Sequence, residues 1–182
     1  MRTLLILITF IFYSFSSFSQ KKGYVITKKD GTTYNVKNYN SKNKYLKLIF
    51  NNGNIQKLPY NELEKIEYER KVKRKKIIKI TKQFVRISER NGILMNKVVD
   101  GKCKVFNYSN VGNNASTFYF VHRENEKFAT ELGISNYVSF KSYKKSALKY
   151  FSDCPKTINK IKKKFNKRKI IELVEFYNNN CL

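Results

Sequence analysis

The stretch Gly23–Asn38, GYVITKKDGTTYNVKN, reads as a β-hairpin and sets the character of the N-terminal third of the chain. Val25 and Thr27 alternate with Tyr24 and Ile26, so each set of side chains takes one face of a strand. Asp30-Gly31 supplies a two-residue turn, because both central positions favour residues that tolerate positive φ. Tyr34 and Val36 carry the period of two along the return strand. A second pair comes next, KYLKLIF and IQKLPY around NNGN, where Asn-Gly again provides turn chemistry. LEKIEYE gives a fifth strand through Leu63, Ile66 and Tyr68, although that spacing also suits a short helical turn. So many short strands in roughly fifty residues predict a small, strongly bent β-barrel-like unit over residues 20–70.

Residues 71–82, KVKRKKIIKITK, shift the composition: seven of these twelve positions are Lys or Arg. They are expected to form a basic connector, with Ile77, Ile78 and Ile80 re-entering structure. An antiparallel β-meander is expected over 83–135. ILMNKVVDGKCKVFNYS is a hairpin turning at Asp100-Gly101, NVGNNAS is a loop, and STFYFVHRENEKFATEL turns around Arg123–Glu126. The period then lengthens over 136–182. Ser142 can cap a helix carrying Tyr143, Ala147, Leu148 and Phe151 on one side. Pro155 suits the first turn of a second helix, where its missing N–H costs nothing, and Ile158, Ile161 and Phe165 mark its stripe. Ile170, Leu173, Val174 and Tyr177 mark a third. The fold class is α+β: an N-terminal barrel-like unit, a meander and short C-terminal helices.

The first residues, MRTLLILITFIFYSFSSFSQ, read as a secretory signal peptide over 1–19. Arg2 gives the positive start, Leu4–Tyr13 the apolar run, and Ser17 and Ser19 the small residues before cleavage. The run falls short of the roughly 20 apolar residues that cross a bilayer. No cysteine follows it before Cys103, which excludes a lipid-modified N-terminal cysteine. Removing 19 of 182 residues leaves 163, enough for one respectable core, and lowers the formal charge of +25 by the one unit of Arg2. No integral membrane span is expected after signal removal, and the product is exported: periplasmic, at the outer surface or secreted.

Export makes the cysteines readable, since oxidising compartments favour disulfides. Cys154 and Cys181 bracket the last two helices, and an antiparallel pair of such helices returns one toward the other. A disulfide is the leading reading; two free thiols, or a catalytic or metal role, are the alternatives. The nucleophile would need a base, yet His122 is the only histidine and lies far off in sequence. A metal site would need three or four ligands at short spacing, which Cys and His do not supply. Cys103 reads as a small buried strand residue.

His122 shares a strand face with Phe118 and Phe120, while Tyr119, Val121 and Arg123 take the other. No G-x-S-x-G, Walker loop, G-x-G-x-x-G or H-E-x-x-H appears, and no carboxylate pair stands out among thirteen. No catalytic residue, cofactor or metal is therefore assigned. Charge is the strongest functional signal. Lys73, Arg74, Lys75 and Lys76 form one cluster; Lys162, Lys163, Lys164, Lys167, Arg168 and Lys169 form another. Such a field attracts polyanions, whether nucleic acid, anionic glycan or lipid head groups. The bland alternative is a solvated surface, since Lys outnumbers Arg in a chain rich in Asn and Ile.

The succession of GYVITKKDGTTYNVK, KVVDGKCKVFNYS, YFSDCPK and FYNNNC resembles uncharacterised exported proteins of Bacteroidetes-type bacteria. Those begin with a Gly-Tyr-Ile-x-Thr-like strand and end with Asp-Cys-Pro and a Tyr-Asn-x-Cys-like tail. This chain departs at Asp30-Gly31-Thr32, in place of Gly-Asp-Thr, and at Cys103, in place of a small residue. The resemblance implies that Cys154 and Cys181 pair and that Cys103 is the odd one. It transfers no catalytic residue. The expected function is that of an exported, non-enzymatic protein that binds or scaffolds in the cell envelope. The alternatives are an electrostatic polyanion binder and a hydrolase of unknown type; the partner is unknown, and a polyanion or an envelope component would fit.

Overall fold

The computed structural model describes residues 23–72, 76–110, 116–134, 140–163 and 169–181, with Ile134 and Phe140–Ser142 described by their backbone alone. The signal-peptide reading lies outside these residues, as do Lys73, Arg74, Lys75, Lys164, Phe165, Lys167 and Arg168. Among the described residues eleven strands are followed by helices: β1 (Tyr24–Lys28), β2 (Thr33–Val36), β3 (Asn38–Ser41), β4 (Tyr45–Ile49), β5 (Ile55–Pro59), β6 (Leu63–Lys71), β7 (Ile77–Arg86), β8 (Gly92–Val99), β9 (Cys103–Ser109), β10 (Thr117–Arg123) and β11 (Thr130–Ile134), then α1 (Phe140–Tyr150), α2 (Pro155–Lys163) and α3 (Ile170–Asn180). The protein is α+β, with antiparallel strands in two sheets. One sheet has the order β11-β10-β9-β8-β7-β6-β1-β2, the other β3-β4-β5. Among the described residues no strand pairing closes either sheet into a barrel.

The first hairpin forms where its alternation places it, but its loop is one residue longer than a two-residue turn. Gly31 N–H donates to Lys28 O and Lys28 N–H to Thr32 O, so Lys29 and Asp30 occupy the centre of the turn. Gly31 then takes the left-handed position, with φ 85°, and the Asp30 carboxylate accepts from Thr32 N–H. Phe50, Gly53 and Asn54 repeat the arrangement between β4 and β5, with Gly53 at φ 84°. A type I turn followed by a left-handed glycine gives the strands their twist without asking Asp30 or Asn52 for positive φ.

Leu63 and Ile66 are both buried although they are three apart. A register shift opposite Thr27 and Lys28 explains this: Thr27 faces Lys65, but Lys28 faces Leu63. The extra residue turns Leu63 back to the core side, which is why the spacing looked helical. At Lys37 the chain leaves the large sheet and enters the small one as β3, a strand the alternation did not show. Ile26, Val36 and Ile66 from the large sheet then pack on Leu46, Leu48 and Leu58 from the small one.

The stretch read as a connector is itself strand at both ends. Lys71 closes β6 and Ile77–Lys82 opens β7, paired from Lys71↔Ile77 to Ile66↔Lys82. Isoleucines alternating with lysines satisfy a period of two as well as any apolar strand, and the lysines conceal it.

The helices cover one face of β8–β11. Val105, Val121 and Leu132 of the sheet meet Tyr143, Ala147, Phe151, Ile161, Ile170, Leu173, Val174 and Tyr177. The helical stripe read for α3 is buried throughout, and Pro155 opens α2. Helix α1 begins at Phe140, so Ser142 lies inside its first turn rather than capping it. On α2 the buried polar residue is Thr157, which sequence periodicity passed over.

Cys154 and Cys181 lie within disulfide distance, with Cα atoms 5.7 Å apart. Thr157 is wedged against them: its N–H donates to Cys154 Sγ at 3.4 Å, and its hydroxyl lies 3.3 Å from Cys181 Sγ. Cys103 is a buried thiol on β9, and burial pushes its pKa up to about 11, which keeps it protonated and unreactive at neutral pH. Joining residues 27 apart constrains the unfolded tail, worth about 3 kcal/mol in the chain-entropy account. Cys154→Ser and Cys181→Ser are each expected to lose that amount in denaturant unfolding, and the double variant no more than either. Additive losses would show that the two sulfurs act separately.

Candidate ligand-binding groove

Strand β6 stays paired with β7 only as far as Ile66↔Lys82. Toward its beginning, Leu63 and Glu64 part from Gln83–Arg86, and the split opens a cavity of about 580 Å³. That volume is in the range of small-molecule sites. Gln83 Nε2 reaches Glu64 Oε1 across the gap at 3.4 Å. At the inner end, Tyr60 stacks on Phe84, with centroids 4.2 Å apart and ring planes 5° from parallel. The other side of Phe84 lies over Gly92; a Cβ there would stand 2.3 Å from its ring, so only glycine admits the ring in this position. Tyr60 also shares a short hydrogen bond with Ser41, tying the corner to β3. Val85 and Phe106 line the apolar wall.

The opposite wall comes from the β10–β11 turn, which folds back over the sheet: Ala129 N–H donates to Arg86 O at 2.8 Å. His122 and Lys104, directly paired across β10 and β9, face the cavity together. This is the face read for His122 in sequence, shared with Phe118 and Phe120, whereas Tyr119 and Val121 pack toward the helices. His122 Nε2 lies 2.8 Å from Glu126 O, and since a carbonyl only accepts, Nε2 carries the proton there.

Four cations border the cavity, Lys29, Arg86, Lys104 and Lys127, against one lining carboxylate, Glu64. Their acidic neighbours stand outside it. Lys104 meets Glu124 at 3.4 Å, while Lys127 and Arg86 share Glu89. Exposed pairs of this kind contribute at most about 1 kcal/mol, so an incoming anion exchanges with them readily. The lining holds no Ser, Thr or Cys; its one hydroxyl, that of Tyr60, is bonded to Ser41, and its single carboxylate does not make an acid–base pair. Among the described residues no cluster of three or more His, Cys, Asp or Glu is placed to hold a metal ion, and no helix is long and apolar enough to cross a membrane.

The described basic residues singled out in sequence, Lys76, Lys162, Lys163 and Lys169, do not line this cavity. Lys76 stands at the β6–β7 tip, Lys162 and Lys163 are exposed at the end of α2, and Lys169 pairs with Glu172 at 2.9 Å. The cations of the groove are instead single residues spread over 29–127, joined only by the fold, and no run announces them. A second unread cluster lies under the helices. There Arg123 is held between Tyr150 and Tyr177, 4.6 and 5.0 Å from their ring centres, and donates to Tyr150 O and Asp153 Oδ1. Asn178 of α3 clasps Cys103 through both backbone groups, at 3.0 and 2.8 Å. No protein family, curated protein or solved structure matches the chain.

Proposed function

We propose that the chain is an exported, non-enzymatic binding protein of the cell envelope, and that the split between β6 and β7 takes an anionic molecule with an apolar body. The carrying observation is the composition of that cavity: aromatic and aliphatic walls, a rim of four cations, and one carboxylate. Export is supported by the charged and apolar start and by the likeness to exported proteins. The bend at Lys37, where the chain passes between sheets around a shared core, supports reading 20–70 as a barrel-like unit. The cavity lies against one edge of that unit.

Anilinonaphthalene sulfonate tests the site, because its uncharged relative N-phenyl-1-naphthylamine differs chiefly in the sulfonate. The mature chain is expected to bind the sulfonate at one saturable site. Lys104→Glu and Lys127→Glu should each weaken it about tenfold while changing the neutral dye little, a loss of about 1.4 kcal/mol per charge reversal. Equal loss of both dyes, or no loss of either, would overturn the anion reading. Export has its own measurement: mass spectrometry of native protein is expected to find an N-terminus near Gln20, and intact Met1 in the cytosol would refute it.

A further inference from the structure

We infer that the outer half of the β6–β7 hairpin docks the protein on an anionic lipid surface. This goes beyond the groove and does not depend on it. Pairing with β1 ends at Val25↔Glu67, and pairing with β8 begins only at Thr81↔Lys97. Between these limits Tyr68–Lys71 and Ile77–Ile80 pair with each other alone, from Tyr68↔Ile80 to Lys71↔Ile77. Val72 N–H donates to Lys76 O at 2.8 Å beyond them. The result is a two-stranded ribbon standing clear of the sheet on both edges.

Besides one carboxylate, Glu69, its side chains are of two kinds. Arg70, Lys71 and Lys76 are exposed cations. Ile77 is 46% exposed opposite Lys71, on the face that also carries Glu69 and Lys79, and Val25 is 37% exposed at the foot of the same face. The other face carries Arg70 opposite Ile78 and Tyr68 opposite Ile80, with Lys82 lying 5.9 Å from the centre of the Tyr68 ring. Glu67, engaged by Lys65 and Lys79 at 2.9 and 2.8 Å, does little to offset the charge of Arg70, Lys71 and Lys76, and Glu69 offsets one unit of it. Isoleucine is thereby left in water, an arrangement with no benefit to a purely solvated charge run.

A bilayer interface suits both kinds at once. Cations seek anionic head groups, while isoleucine and tyrosine enter the boundary beneath them, and the aliphatic stems of lysine and arginine follow. A nucleic acid would match the charge but offers isoleucine nothing. The ribbon also lacks a stacking platform, since its one ring, Tyr68, already packs on Tyr24 at 5.1 Å. Charge complementarity together with exposed aliphatic residues selects the lipid surface.

The test is co-sedimentation of the mature chain with vesicles of phosphatidylcholine alone or with one quarter phosphatidylglycerol. Binding is expected only to the anionic vesicles and should fall as salt rises. Arg70→Gln with Lys71→Gln should weaken it about thirtyfold, from about fivefold per charge. Ile77→Ser should weaken it about tenfold at unchanged charge. These positions lie outside the buried clusters, so the melting temperature and dye binding in the groove should hold, which separates failure here from failure there. Ile77→Ser without effect, tighter binding to a DNA duplex than to anionic vesicles, or equal binding to both vesicle types would each overturn the inference.

Discussion

Arg123→Ala is expected to destabilise the protein by about 4 kcal/mol. Arg123 ends β10 with its side chain under the helices, where it donates to Tyr150 O at 2.8 Å and Asp153 Oδ1 at 2.9 Å. Tyr177 donates its hydroxyl to the other oxygen of Asp153 at 2.5 Å, and Tyr150 donates to Glu126 at 2.7 Å. Glu126 in turn accepts from the Arg123 backbone N–H at 3.0 Å. Arg123 thus joins β10 to the turn after it through its backbone, and to α1, the α1–α2 corner and α3 through its guanidinium.

Removing it takes away two charge-assisted hydrogen bonds, worth about 1.5–3 kcal/mol each, and two ring contacts of about 0.5–2 kcal/mol. These do not sum in full, because Asp153 is half exposed and water replaces part of what is lost. Arg123 Nε, buried without a partner, also lowers the gain from the native residue. Arg123→Met keeps the stem packing and is expected to cost about half as much. Arg123→Lys keeps the charge but cannot span Tyr150 O and Asp153 from one planar group, so it should fall near the methionine variant. Urea unfolding of the three variants checks the order. A loss under about 1 kcal/mol for alanine would reduce the cluster to an ordinary surface ion pair.

Elements with local signals are readable in the amino-acid order itself. Hairpins turning at Gly31, Gly53 and Gly101 and the buried stripe of α3 all rest on neighbours within a few residues. What escaped was non-local or masked by charge. β3 reads NYNS and has no apolar alternation; it exists because Lys37 turns the chain beneath β4. The isoleucines of β7 were read as re-entering structure, but the lysines between them hid a strand paired with β6 from Ile77 to Lys82. The groove could not be read, because a strand split and a folded-back turn create it and its cations come from four separate segments. Its one early signal was the alternation that put His122 on the face of Phe118 and Phe120. The Arg123 cluster had no such signal, since its partners Tyr150, Asp153 and Tyr177 lie 27 to 54 positions downstream in chain segments that periodicity treated only as apolar stripes.

Between about pH 10 and 12 the fold is expected to collapse, and the tyrosines under the helices set that limit. Burial raises the pKa of Tyr143 and Tyr177 above the range of exposed tyrosine, and for Tyr177 the hydrogen bond to Asp153 adds to it. Tyr150 is raised in the same direction, again mainly by burial. A folded pKa above the unfolded value of about 10 means that the folded state holds the proton more tightly. The stability this gives is complete below pH 10 and is lost as pH rises through the folded values. Each such group removes up to about 1.4 kcal/mol per pH unit, so Tyr143 and Tyr177 together remove up to about 3. A net stability of about 5–15 kcal/mol does not outlast many such units. Loss of lysine charge acts the other way by relieving repulsion, and about 0.5 M salt suppresses that contribution. Absorbance at about 295 nm should therefore show exposed tyrosines ionising smoothly near pH 10, followed by a steep step that coincides with loss of far-ultraviolet dichroism. Tyr143→Phe removes one of the groups and should move that step to higher pH while making it shallower. One smooth titration with the dichroism intact at pH 12 would show that these hydroxyls already reach water in the folded protein.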